Sequence, residues 1–311
     1  MLENNSADLT IGFDVGGTNV RGGVITRDGD ILASRTMPTS GDPRQLDDDL
    51  VAIVEELRAD YPVGAVGLAV AGFLDPECET VRFAPHLPWR NAPVRKNLAE
   101  RLGLHVRLEH DANSAAWGEW RFGAGRGAKD WVFFAVGTGI GATLMTHDTI
   151  YRGAFGTAPE FGHIVVVPNG RQCSCGKRGC LERYASGTAL PDTARELRPN
   201  YDETSLPPYP TGEQVARAAR GGDPLGVAVM ENFGQWLGQG LSIVADVLDP
   251  ELIVIGGGVS QDADMYLEEA TAAMGRDIVG AGHRPLARVA TAELGSAAGM
   301  IGVADLARRG H

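Results

Sequence analysis

The sequence predicts an α/β protein of two similar lobes with a cleft between them, and three observations carry that prediction. Short apolar runs alternate with helical periodicities along the whole chain. A strand that ends in a Gly-rich turn and leads into a hairpin occurs twice, about 120 residues apart, first from Leu9 and again from Trp131. At 311 residues the chain has about the length of two domains, because single cores usually stop growing near 250–300 residues. The two halves share little sequence, so the repeat is one of architecture.

Leu9–Val15 is an apolar strand running into Gly16-Gly17, with Val20–Thr26 and Asp30–Thr36 as successive hairpin strands. Asp42–Asp60 spaces Leu46, Leu50, Ile53, Val54 and Leu57 as a helix does. Ala65–Ala71 is nearly unbroken in its apolar character, as a buried strand is. Pro93–Leu102 reads as a helix, His105–Leu108 as a strand, and Asp111 opens an Ala-rich helix to about Phe122. The second cycle begins with strand Trp131–Val136 and a hairpin of Ala142–Thr146 and Ile150–Arg152. A cysteine-bearing loop follows, then helices at Gly187–Leu197, Thr211–Arg220 and Pro224–Leu248, with Pro199–Gly212 as a surface loop. Glu251–Ile255 is a strand entering Gly256-Gly257-Gly258, and the chain closes on strand Ala287–Glu293 and helix Ala297–Arg309.

Composition narrows the partners. Lys and Arg total 28 against 40 Asp and Glu, a net charge of −12. So negative a surface repels phosphate backbones and anionic lipid, which argues against nucleic-acid and membrane partners. The longest uncharged stretch, Trp131–His147, is too short and too polar to span a bilayer. Met1–Thr10 carries acids and Asn where a signal peptide needs a basic start and an apolar run, so a cytoplasmic protein is expected. The 42 glycines point to tight turns or close backbone approaches to a ligand.

Two Gly-rich turns invite an anion. In Asp14-Val-Gly-Gly-Thr-Asn19, Gly16 and Gly17 offer unobstructed backbone N–H groups, Thr18 adds a hydroxyl, and Asp14 suits Mg²⁺ or its waters. Gly137-Thr138-Gly139 builds the same kind of nest; a dinucleotide fingerprint there would require a helix next, and the sequence alternates as a strand. An ordinary hairpin is the plain alternative for either turn alone. Gly256, Gly257 and Gly258 at a strand end would let a flat adenine and its ribose lie against the backbone. Cys173, Cys175 and Cys180 with His163 upstream supply three sulfurs and one nitrogen, a filled tetrahedron for structural Zn²⁺. The competing readings are reduced buried cysteines or a disulfide.

The motifs Asp-x-Gly-Gly-Thr, Glu-His-Asp-Ala-Asn (109–113), Glu-Phe-Gly-His (160–163) and Cys-x-Cys-Gly-x-x-Gly-Cys-x-Glu (173–182) occur in order, and with them the chain resembles the ROK family of sugar kinases and sugar-responsive repressors. The stretches 115–124 and 158–163 carry a closer likeness to the actinobacterial glucokinases of that family. The resemblance spans residues 9–309 and implies a two-lobed hexokinase/actin-like (ribonuclease H-like) fold. Its expected lobes are 1–111 with 297–311, and 112–296 with the zinc loop. It implies transfer of a phosphoryl group from Mg²⁺–ATP to the glucose 6-hydroxyl, in a homodimer or a dimer of dimers. Residue by residue, Asp111 matches the general base, and Glu160, His163 and Glu182 match groups at the sugar hydroxyls. Asp14, Gly16, Gly17 and Thr18 match one phosphate site, Gly137, Thr138 and Gly139 a second, and Gly256–Gly258 the adenosine side.

Two positions depart from the family. His110 stands before Asp111 and His86 stands in the Ala-Pro loop, where the family usually has Asn. Neutral His also donates and accepts, with a longer reach and a titratable ring. Both positions are expected to read sugar hydroxyls, which leaves mannose, N-acetylmannosamine or fructose as alternative substrates and polyphosphate as an alternative donor. A repressor of this family carries a DNA-binding region ahead of the first strand, and only eight residues precede Leu9.

Overall fold

The computed structural model describes residues 9–310. Strands β1 (Leu9–Val15), β2 (Asn19–Ile25) and β3 (Ile31–Pro38) are followed by helix α1 (Pro43–Arg58) and β4 (Val63–Val70). The short β5 (Phe73–Leu74), β6 (Val81–Phe83) and β7 (Arg90–Ala92) come next, then α2 (Val94–Leu102), β8 (His105–His110) and α3 (Asp111–Phe122). The second cycle comprises β9 (Asp130–Val136), β10 (Ile140–Thr146), β11 (Thr149–Tyr151), α4 (Ala189–Leu197), α5 (Gly212–Arg220) and α6 (Pro224–Leu248). It continues through β12 (Leu252–Gly256), α7 (Leu267–Asp277), β13 (Arg288–Thr291) and α8 (Ala298–Arg308).

Two five-stranded sheets order their strands β3-β2-β1-β4-β8 and β11-β10-β9-β12-β13. Ranked within its own sheet, each runs third, second, first, fourth, fifth. The first pairs β1 with β2 antiparallel and with β4 parallel, and β4 with β8 parallel. The second pairs β12 parallel to both β9 and β13. This is the ribonuclease H-like arrangement, present twice. A third, antiparallel sheet joins β5, β6 and β7.

Local chemistry explains the main boundaries. Asp42 caps α1 by accepting from the backbone N–H groups of Arg44 and Gln45. Thr211 caps α5 in a reciprocal box with Gln214. Gly103, at φ 62°, closes α2 in the left-handed conformation that only Gly adopts cheaply. β4 buries all but one of its residues, as a central parallel strand must, whereas β3 at the sheet edge is largely exposed.

The chain divides into two compact units. The first comprises Met1–Ala128, Thr143–Pro159 and Glu293–His311; the second comprises Lys129–Ala142 and Glu160–Ala292. Met1–Asp8 and His311, which the expected smaller lobe includes, lie outside the described residues. Against the expected division after residue 111, the first unit also holds α3 and residues 143–159. Helix α3 stays there because it is bolted to α8. A Cβ on Gly118 would come 2.5 Å from the Ala298 carbonyl oxygen, and one on Gly302 would meet the Ser114 carbonyl. Buried Asp305 on α8 accepts from Trp117 Nε1 at 2.9 Å and from Arg121 Nε at 3.2 Å.

In the first unit Ile11, Phe13, Val66 and Leu68 pack into one core with Leu46, Leu50 and Leu98, while Met300, Ile301 and Ala304 of α8 pack with Ile25. In the second, Trp131, Phe133, Phe134, Phe233, Leu237 and Ile253 are fully buried. No helix among the described residues is long and apolar enough to cross a membrane. Helix α7 and strands β5–β7 were not anticipated. The strands are only two or three residues long, too short to show alternation, and α7 is Ala-rich with a weak apolar stripe of Ala270, Ala273 and Met274.

Candidate active site

In the first unit the turn after β1 is tight and rigid. The Gly16 N–H donates to the Asn19 carbonyl at 3.0 Å, and Thr39 Oγ1 donates to the Gly16 carbonyl at 2.6 Å. Gly17 and Thr18 are exposed. A Cβ on Gly17 would lie 2.5 Å from His86 Cβ, so only Gly lets the His86 loop sit this close to the turn. That loop is clamped from behind: Arg90 Nη1 donates to the carbonyls of Ala84, Leu87 and Trp89 at 2.8, 2.6 and 2.6 Å. Its guanidinium also lies over the Phe83 ring, 4.7 Å from the centroid. His86 is exposed on a fixed support.

Asp14 is opposite Arg21 in the β1–β2 register. Burial pushes its carboxyl up to about 6; the negative charge of Asp111 adds to the rise and Arg21 opposes it. Two carboxylates whose charges meet in a partly desolvated place leave a position that suits a cation. Asp111 is the first residue of α3, and the residue at the N-cap is His110. The Asp111 carboxylate accepts from the Ala112 N–H at 2.8 Å and lies 3.3 Å from His110 Nδ1. It is 44 % exposed, open enough to meet a ligand.

In the second unit the Gly137–Gly139 turn closes with a 2.9 Å bond from the Gly137 N–H to the Gly139 carbonyl. The Gly187 N–H donates to the Gly137 carbonyl at 2.7 Å, and Thr188 Oγ1 donates to the Thr138 carbonyl at 2.8 Å. β10 begins at Ile140, so the strand expected in place of a Rossmann helix is present. A cavity of 800 Å³ opens here, lined among others by Gly137, Thr138, Thr188, Thr211, Gly258 and Asp262. Thr188 and Thr211 are the N-caps of α4 and α5, so both helices offer their positive ends to it. Of the triple glycine only Gly258 lines this cavity. Gly256 sits where a Cβ would be 2.6 Å from Phe133, and Gly257, at φ 82°, turns the chain against the Val136 backbone.

His163, Cys173, Cys175 and Cys180 bring their ligand atoms within 4.8 Å of one another. Cys175 and Cys180 sulfurs are 3.7 Å apart, and Cys173 Sγ is 3.6 Å from His163 Nδ1. Tetrahedral zinc with Zn–S near 2.3 Å and Zn–N near 2.0 Å would have edges of ~3.8 and ~3.5 Å. The donor set and spacing therefore fit a closed, four-ligand metal site, and all four cysteines are free of disulfides. The knuckle is formed by backbone bonds from Cys173 N–H to the Lys177 carbonyl and from Gly176 N–H to the Cys173 carbonyl, at 3.0 and 3.1 Å. His163 turns its other nitrogen, Nε2, to Glu160 Oε2 at 3.8 Å. Glu182 Oε1 accepts from Cys173 Sγ at 3.0 Å, and its Oε2 would be 2.7 Å from a Cβ on Gly139. Glu182 thus lies against both the metal cluster and the Gly-rich turn.

The structure groups Asp14, Gly17, His86, His110 and Asp111 in the first unit, and Gly137–Gly139, Glu160, His163 and Glu182 in the second. Sequence reasoning missed Thr188 and Thr211, although the capping-box pattern Thr211-Gly-Glu-Gln214 marks one helix start.

A model described as the ROK family matches residues 10–310. The chain is 40 % identical to a glucokinase of Streptomyces coelicolor, covering 96 % of this chain and 98 % of the relative. Among solved structures it is similar to a ROK family glucokinase from Streptomyces griseus in complex with glucose and AMPPNP, with 39 % identity and a TM-score of 0.85 over 97 % of this chain and 99 % of that one. It is also similar to a ROK hexokinase from Thermus thermophilus, with 31 % identity and a TM-score of 0.82 over 97 % and 98 % of the two chains.

Proposed function

Because the chain belongs to the ROK family, we propose that it is a cytoplasmic glucokinase, which transfers the γ-phosphoryl group of ATP to the 6-hydroxyl of glucose. The observation that carries this reading is the likeness to a glucokinase over 96 % of the chain at 40 % identity.

Each site residue has a role that its surroundings support. Asp111 takes the proton from the 6-hydroxyl, freeing the oxygen for attack on phosphorus; its exposure and its place at a strand-to-helix junction suit a positioned base. When bound, Mg²⁺–ATP supplies the phosphoryl group, and Asp14 is the carboxylate placed for the cation. Gly16, Gly17 and Thr18 form one phosphate nest, and Gly137, Thr138 and Gly139 the other. The 800 Å³ cavity suits the rest of the nucleotide, with Gly258 at its wall and two helix N-termini favouring anionic phosphate. Glu160, His163 and Glu182 bind sugar hydroxyls. His163 and the three cysteines would hold Zn²⁺, which would fix the loop that carries both glutamates and leave His163 Nε2, beside Glu160, to face a sugar hydroxyl.

A second reading, another hexose such as mannose, N-acetylmannosamine or fructose, is favoured by two imidazoles, His86 against the Gly17 turn and His110 3.3 Å from the Asp111 carboxylate, whose reach differs from that of a short amide. A coupled assay of these sugars against ATP, GTP and polyphosphate tests both. Glucose with ATP should give the highest kcat/KM; a higher value for another hexose overturns the glucose assignment and leaves the kinase reading in place. The assembly expected with this activity is a homodimer, checked by light scattering.

A further inference from the structure

Behind the Asp111 junction lies a buried polar network that none of the roles above uses. Glu109, the residue before His110 on β8, is fully buried. Its carboxylate accepts from Arg107 Nη2 at 2.9 Å, from Arg152 Nη2 in a very short bond, from the His110 backbone N–H at 3.1 Å and from Asn113 Nδ2 at 3.0 Å. Asn113, itself buried, accepts through Oδ1 from Thr143 Oγ1 at 2.9 Å. Burial alone would favour the protonated acid, but Arg152 and then Arg107 hold Glu109 below the ordinary carboxylate range, so it is ionised and acts only as an acceptor. A buried carboxylate with this many donors has one arrangement. Two of those donors bracket Asp111: the N–H one residue before it and the side chain two residues after it.

We propose that Glu109, acting through Asn113 and the His110 N–H, is a positioning residue that fixes the angle at which the strand-to-helix junction presents the Asp111 carboxylate. The inference rests on the reading of Asp111 as the base. Arg107 and Arg152 keep the Glu109 carboxylate charged and still, and Thr143 orients the Asn113 amide so that its NH₂ faces Glu109. Positioning of this kind acts on the chemical step, since a displacement of about 1 Å in a reacting group can cost on the order of 10²-fold in rate.

The test is a double-mutant cycle on kcat with glucose and ATP. Glu109→Gln puts a neutral amide against two buried guanidinium groups and can fail to fold, so the cycle is built on Asn113→Ala, which is compatible with a helix. Asn113→Ala should lower kcat about 10- to 100-fold, with the KM for glucose within about threefold. In an Asp111→Asn background the same change should cost less than about twofold, because no base remains to be aimed. Thr143→Val should lower kcat in the same sense by a smaller factor. An equal loss of kcat from Asn113→Ala in both backgrounds would make the network a packing feature and overturn the proposal. So would a kcat for Asn113→Ala equal to the parent's. If Asp111→Asn itself keeps the parent's kcat, the base assignment fails, and the positioning proposal falls with it for that separate reason.

Discussion

Substitution can answer a charge question at Asp14 and a hydrogen-bonding question at His110. Folded Asp14 titrates at about 6 instead of its ordinary 3.8, chiefly through burial and then through Asp111. Between those two values the folded protein keeps a proton that the unfolded chain has released. Stability linked to this group is therefore full below pH 3.8 and is lost as pH rises through 6. Asp14→Asn removes the loss, so at pH 8 in the absence of nucleotide the variant should be more stable than the parent by on the order of 1–3 kcal/mol. The gain should vanish near pH 4, while activity is lost at every pH. Thermal melts at the two pH values check this, and an equal difference at both would contradict it. His110 lies 3.3 Å from the Asp111 carboxylate and is partly exposed. If its ring also pairs with a sugar hydroxyl, His110→Ala should weaken glucose binding by roughly 1–3 kcal/mol. Titration calorimetry with glucose measures it, and unchanged affinity would make His110 a neighbour of Asp111 alone.

The elements hold the site in two different ways, one visible in the sequence and one not. The cysteine knuckle was legible because Cys173, Cys175, Cys180 and His163 differ chemically from everything around them, and the structure gathers all four. Metal analysis should find about one zinc per chain, and Cys175→Ala should lose the metal, thermal stability and glucose affinity together. Fully folded, active protein without zinc would refute the assignment. Helix starts were legible too where a cap announces them, as Asp42 and Thr211 do. The α3–α8 contact was not legible, because glycines that permit close helix approach look like glycines anywhere. Nothing in the sequence pairs Gly118 with Gly302, which are far apart in the chain. The division of the chain followed from that contact, which is why a boundary drawn at residue 111 cut off a helix that belongs to the first unit. Gly302→Val should destabilise the protein by several kcal/mol, since the Ser114 carbonyl and the Gly118 backbone cannot retreat. A melting temperature within about 2 °C of the parent's would show that the helices can separate without cost.

At the scale of the whole molecule, one strand order occurs in both sheets, and each carries a Gly-rich turn after its first strand, at Gly16–Thr18 and at Gly137–Gly139. That duplication was readable because strand, Gly-rich turn and hairpin recur in the same sequence. The catalytic assignment was readable only through the motif around Asp111, since a carboxylate opening a helix is otherwise an ordinary sight. The structure weakens that ordinary explanation, because His110 is the N-cap and Asp111 touches only the N–H of the next residue in the backbone of α3. An Asn at 111 can accept the same bond but cannot take a proton. The kcat of Asp111→Asn, measured with saturating glucose and ATP beside a melting curve and a glucose-binding isotherm, therefore tests the central claim most directly. The account predicts a fall of ~10²–10⁴-fold in kcat, with glucose still bound and the melting temperature unchanged or slightly raised. A kcat within a few-fold of the parent's would contradict it and place the base elsewhere.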